Sequence, residues 1–280
     1  MGVKRLSAIV AVLALGLVGL AGAASGPAAG SARYVESRQA ANGGFAEAGR
    51  VPDGQLTAWA ALGLVAGDGS AAARTRALEF LRSVPLAPGS EIDVALRAVA
   101  LESLGDRPAE LLDRLRRHRS GALVNETVWT VIALRGAGEK APPELVQAVL
   151  TAQAPGGGWP WSRGGVPDSN DTAAAIQALR AAGIDGAPLR RGVVALRSFQ
   201  NRDGGFGLTK GRASDAQSTA WAIQALIAAG ERVGKPPFRF LARLRREDGS
   251  YRYSLAYATT PVWVTSQVLP ALAGRPFPLS

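Results

Sequence analysis

One motif, written three times, constrains this chain more than any other feature. ESRQAANGGFAEAGRVPDGQLTAWAALGLVAG starts at Glu36, TAQAPGGGWPWSRGGVPDSNDTAAAIQALRAAG at Thr151, and SFQNRDGGFGLTKGRASDAQSTAWAIQALIAAG at Ser198. All three obey the pattern Q-x-x-x-G-x-[FWY]: Gln39, Gly43 and Phe45; Gln153, Gly157 and Trp159; Gln200, Gly204 and Phe206. A decayed copy reads Arg245, Gly249 and Tyr251, and a weaker one reads Arg117, Gly121 and Leu123. A sixth unit, with a helix pattern but no loop signature, fills the gap around Pro85 to Gly105. Periods of this length are the mark of stacked supersecondary units, none of which can bury its apolar face alone.

Each unit divides into two helices of different character. The helix before the Gly loop is amphipathic and carries arginine, as in FLARLRR. The helix after it is apolar nearly all round, as in STAWAIQALIAAG. An amphipathic helix lies on the surface and an all-apolar one is buried. The pattern therefore predicts an all-α fold, an outer layer of first helices around an inner layer of second helices. The twelve helices are expected over 34–41, 55–65, 71–83, 92–104, 109–118, 126–135, 143–153, 171–181, 189–200, 216–228, 236–245 and 261–271.

Two sets of residues recur at fixed places in the inner helices. Asp53, Asp168 and Asp215 each precede a threonine by four residues (Thr57, Thr172, Thr219). Such aspartates either cap helix N-termini or, with Asp171, Glu91, Asp93 and Glu126, crowd one mouth of a central cavity. Trp59, Trp129 and Trp221 each follow a threonine by two residues, with Trp263 as a fourth candidate. They either pack between the layers or line the cavity for an apolar or cationic ligand.

The Q-x-x-x-G-x-W loop followed by D-x-x-x-T-x-x-A-x-x-A-L resembles the α/α toroid of terpenoid cyclases and protein prenyltransferases. The resemblance covers residues 24–280 and implies a single α6/α6 toroid, six helix pairs closed into a two-layer ring. The zinc site of the prenyltransferases needs Asp, Cys and His. Here Asp215 is followed by Gln217, and the chain has no cysteine and one histidine, His118, read as part of a surface basic cluster; no metal site is expected. Squalene cyclases protonate an alkene with an acid of a D-x-D-D-T motif. This chain reads Asp168-Ser169-Asn170-Asp171-Thr172, with an amide where the central acid belongs, and an amide cannot supply that proton. If the chain is an enzyme at all, a terpene cyclase or mutase with altered acid chemistry, Asp168 and Asp171 are its catalytic candidates.

The toroid is also similar to that of the cobalamin carriers intrinsic factor and transcobalamin. That likeness implies a non-catalytic module that binds a small apolar or corrinoid ligand, cobalamin included, with a separate β-rich partner covering it. The ligand-binding candidates are Asp53, Asp168, Asp171, Asp215, Trp59, Trp129 and Trp221. A structural protein of the cell envelope is the third reading. The net charge of +10 gathers in arginine runs at 114–119 and 239–246, which suit a solvated face or an anionic cell-surface polymer; no nucleic-acid motif accompanies them.

Residues 1–23 read as a signal peptide: Lys4 and Arg5, an apolar run over 6–20, then Ala21-Gly22-Ala23. The expectation is a secreted or extracytoplasmic protein of charge 10 − 2 = +8, the alternative an uncleaved N-terminal membrane anchor. Without a cysteine there is no lipoprotein anchor.

Overall fold

The computed structural model describes residues 26–86 and 89–279; the signal-peptide segment 1–23 lies outside them. The described residues form twelve helices and no strand longer than an isolated bridge. The inner layer is α2 (Gly54–Ala66), α4 (Glu91–Ser103), α6 (Val124–Gly136), α8 (Ser169–Ala181), α10 (Ala216–Ala228) and α12 (Pro261–Ala273). The outer layer is α1 (Pro27–Glu36), α3 (Ala71–Ser83), α5 (Ala109–Arg116), α7 (Pro143–Thr151), α9 (Ala187–Arg197) and α11 (Pro236–Leu244). Each inner helix packs on the next, and α12 returns to α2, so the ring closes. The α2–α12 seam is tight enough that a Cβ on Gly63 would stand 2.8 Å from the Ser266 carbonyl oxygen.

The layers follow from composition, as the sequence predicts. Nearly every residue of α2, α6 and α10 is buried, threonines and tryptophans included, whereas α5 and α11 bury one face. Each large apolar side chain so buried contributes roughly 1.5–3 kcal/mol relative to exposure.

The repeated loop is a structural device whose parts interlock. Gly43, Gly157, Gly204 and Gly249 take φ of +87°, +89°, +90° and +89°, where a side chain is strained. A Cβ on Gly157 would also meet the Arg191 carbonyl oxygen of the next outer helix at 2.5 Å. The Gln153 side-chain amide donates to Gly157 O and to Pro188 O, both at 2.8 Å, tying its own loop to the next repeat. Gln39 does the same with Gly43 O and Ala73 O. The following aromatic (Phe45, Trp159, Phe206, Tyr251) is fully buried, and its backbone N–H donates to the threonine hydroxyl of the inner helix (Thr57, Thr172, Thr219, Thr265) at 2.9–3.0 Å.

Each such loop also caps the inner helix of the preceding repeat. Trp161 O accepts from Val124 N and Asn125 N at the start of α6. Leu208 O accepts from Ser169 N of α8, and Tyr253 O from Ala216 N of α10. Glu47, in the first loop, accepts from Val262 N and Trp263 N of α12, more than 200 residues away, and so completes the circle. These are the N–H groups a helix leaves without intrahelical partners.

Two expectations need correction. The first helix spans Pro27–Glu36, not 34–41: Pro27 at its N-terminus starts it early, and residues 37–41 already belong to the loop. His118 is not part of an exposed basic cluster. It is 8% exposed, its ring Nε2 lies 3.5 Å from Thr127 Oγ1, and burial lowers its pKa. Its neighbours are ion-paired, Arg114 with Glu91 and Arg116 with Glu139 and Asp113.

Candidate functional site

The N-termini of the inner helices surround a pocket of about 360 Å³ on the ring axis. Its walls come from two positions per helix, two residues before and two after the threonine register. The upper ring is Gln55, Ile92, Asn125, Asn170, Gln217 and Trp263; the lower ring, one turn deeper, is Trp59, Leu96, Trp129, Ala174, Trp221 and Gln267. Residues four apart on a helix face the same way, so a fixed register in six helices builds two six-membered belts. Trp161, Asp168, Asp171 and Leu208 complete the lining.

Tryptophan occupies alternate places in the lower belt, and the three rings fill the axis. Trp59, Trp129 and Trp221 stand edge to face at centroid separations of 5.5, 5.9 and 5.8 Å and interplanar angles of 80–83°, the arrangement that suits aromatic quadrupoles. Phe277, from the C-terminal tail, closes the trio from the other side at 5.7–6.1 Å. Its N–H donates to Gln177 Oε1 at 2.8 Å. The pocket is therefore blind, with an aromatic floor and one mouth.

The aspartates divide. Asp53, Asp168 and Asp215 all cap their helices, accepting from Leu56 N, Asp171 N and Ser218 N at 2.7–2.8 Å. Of these three, Asp168 lines the central pocket and Asp53 lines a separate cleft beside α4 with Arg97. Asp215 is buried outside that lining, where Ser218 Oγ also donates to it and burial lifts its pKa to about 6. Glu91 pairs with Arg114, and Asp93 accepts from Gln55 Nε2 at 3.1 Å.

Asp171 is the second acid of the pocket lining, beside Asp168. Burial, and next the neighbouring Asp168, raise its pKa well above the ordinary carboxylate range. Asn125 Nδ2 donates to its Oδ1. Because pKa measures the free energy of releasing the proton, this shift makes Asp171 a weaker proton donor than a free carboxylic acid.

The mouth is thus formed less by acids than by amides: Gln55, Asn125, Asn170 and Gln217 share one register. Gln55 and Asn125, together with Gln267 and the loop residue Trp161, were not picked out from the sequence, and Gln217 and Asn170 were named only as departures from the enzyme motifs. The threonine register could have found the amides; the reach of the 154–168 loop over α6 leaves no local signal.

Comparison with known proteins agrees with this geometry. Residues 128–263 match the squalene-hopene cyclase C-terminal domain family. The structure superposes on a type II terpene cyclase from Scytonema with TM-score 0.67 at 13% identity, covering 88% of this chain and 96% of that one. A protein from Actinoplanes gives 0.65 at 18% identity, covering 89% and 98%. The ent-copalyl diphosphate synthase of Streptomyces platensis gives 0.55 at 21% identity, covering 81% of this chain and 52% of the synthase. No protein of curated function matches the sequence.

Proposed function

From the premise that this chain has the α/α-toroid fold of the terpenoid cyclase and protein prenyltransferase superfamily, we propose that it is a non-catalytic binding module holding a small, largely apolar molecule in its blind central pocket. The observation that carries this reading is the floor: three tryptophans and Phe277 packed across the axis, beneath a rim of neutral amides. A volume of about 360 Å³ is small, near the low end of the ~300–1,000 Å³ typical of ligand pockets. It favours a compact ligand; a corrinoid would rest on the rim, where a separate β-rich partner would have to cover it. Asp168 and Asp171 would orient the ligand, with Trp59, Trp129 and Trp221 as its contact surface. Asp53 and Asp215 would act at a distance, by fixing their helices.

Asn170 in the acid position and the tightly held proton of Asp171 support the absence of cyclisation. A cyclase reading draws on a different observation, that Asp168 and Asp171 both line an aromatic pocket. The two are separated by incubating the protein with squalene and with geranylgeranyl diphosphate. We expect no cyclised product by mass spectrometry; product that disappears in Asp171→Asn would establish the cyclase instead. Binding is read by tryptophan fluorescence and thermal shift against a panel of apolar molecules of about ten to fifteen carbons, with a corrinoid alongside. A panel without effect on either signal would sink the binding reading. The motif of residues 1–23 supports a site of action outside the cytoplasm, which fractionation of the native host tests directly.

A further inference from the structure

The lower belt of the pocket contains one polar side chain, Gln267, and its amide is half satisfied. Gln267 is 1% exposed, and its Oε1 accepts from Trp221 Nε1 at 2.9 Å. An indole N–H only donates, so this bond fixes which end of the amide faces Trp221. The other end, Nε2, has no hydrogen-bond partner in the protein and less than 1 Å² of accessible surface, although Gln267 is one of the residues that line the pocket. An unpaired buried donor is costly, and few persist without a reason.

We propose that Gln267 Nε2, brought to the void by a turn of its side chain when the pocket fills, is a ligand-recognition donor: the molecule held in the pocket carries a neutral oxygen acceptor, a carbonyl, set among its carbons where it meets the floor. This rests on the binding function above and makes it narrower. The rest of the floor is Trp59, Leu96, Trp129, Ala174 and Trp221, which demands an apolar body around that oxygen. A carboxylate or phosphate does not fit, because no cationic side chain lines the pocket and a buried unpaired charge is penalised heavily. Gln224 Oε1, on α10, is a buried acceptor also without a partner, and Gln224 Nε2 reaches Gln267 O at 3.4 Å. A rotamer change that joined the two side chains is the competing, purely structural role for Gln267.

The test compares cyclododecanone with cyclododecane, which differ by one carbonyl, by calorimetry on the full chain. We expect the ketone to bind about tenfold more tightly, the size of one hydrogen bond to an otherwise unsatisfied donor. The carbonyl stretch of the bound ketone should move to lower frequency. In Gln267→Leu and Gln267→Met the preference and the frequency shift should both vanish, while binding of the hydrocarbon persists. Gln224→Leu should keep both. Equal affinity for the two probes in the unaltered protein, or an unshifted carbonyl stretch, overturns the proposal and leaves the binding function standing. Failure of both probes to bind overturns the proposal, and a panel that is also without effect overturns the binding reading with it. Should the Gln267 variants not fold, the ketone–hydrocarbon ratio and the carbonyl frequency in the unaltered protein decide alone.

Discussion

Two arcs of the ring solve the same problem by different means. From α7 round through α12 to α2, every inner helix is entered through a Gly–aromatic loop, led by Gln before α8, α10 and α2 and by Arg245 before α12, and that loop caps the helix behind it. From α3 to α6 the loop is absent before α4 and reduced to Gly121 and Leu123, without the aromatic, before α6. There α4 is capped by its own Ser90, and the buried Arg97 holds the preceding segment through Val84 O and Pro85 O. The C-terminal ends differ too. Arg135 and Arg180, eight residues beyond the register threonine, donate to Ala181 O and Ala228 O, the last carbonyls of the next inner helix. The same place on α4 holds Glu102, whose carboxyl oxygens are buried without partners and lie close to Gly136 at the end of α6. An acid beside the negative end of a helix dipole is unfavourable. Burial, reinforced by Glu139, raises the Glu102 pKa to about 8. The ring is thus held by a repeated clasp over most of its circumference and by individual contacts over the rest.

The largest effect should come from removing the clasp aromatic. Trp159→Ala should cost about 3–5 kcal/mol in denaturant unfolding, and Leu123→Ala, at the matching place in the arc without the clasp, less than half as much. Equal losses would erase the distinction between the arcs. Next, Gly157→Ala should cost about 1–3 kcal/mol, because it places a side chain at positive φ and against the Arg191 carbonyl. Gly121→Ala, with open space around it, should fall within ~0.5 kcal/mol of the unaltered protein.

A smaller, pH-dependent effect belongs to Glu102. Its folded pKa of about 8 exceeds the ordinary glutamate value of 4.5, so across that window the unfolded chain has released a proton the folded chain keeps. Stability from this group therefore falls as pH rises from about 4.5 to about 8. Glu102→Gln should remove on the order of 1–2 kcal/mol of that fall, allowing for partial solvent screening. Melting curves at pH 5 and pH 8 that stay as far apart in the variant would refute it. Smallest of all, Asp53→Asn and Asp215→Asn should change stability by no more than ~0.5 kcal/mol, because asparagine caps about as well as aspartate. A loss of several kcal/mol in either would mean its charge does more than cap.

The layering was legible because an apolar helix and an amphipathic one differ in composition, which survives even where the loop motif is lost, as in α4. The recurrent tryptophans were legible as a set for the same reason of register. Their meeting on the axis was not, since a helix apolar on all sides carries no sign of which face points inward. Gln267 was hidden in this way inside PVWVTSQVLPALA. The tail residue Phe277 and the Glu47 cap on α12 lie beyond any local pattern: they depend on the circle having closed.

That closure has an arithmetic consequence. An open stack of repeats can gain or lose a unit and remain a stack, because each repeat needs only its neighbours. Here the last loop leans on the first outer helix, with Ser31 Oγ donating to Gly249 O at 2.8 Å, and the first loop caps the last inner helix through Glu47. Deleting or duplicating one helix pair would pull both joints apart at once. The circumference is therefore fixed while its furnishing is free: a descendant of this chain can acquire a new ligand by exchanging belt residues or lengthening a rim loop, but it cannot widen the bore by degrees.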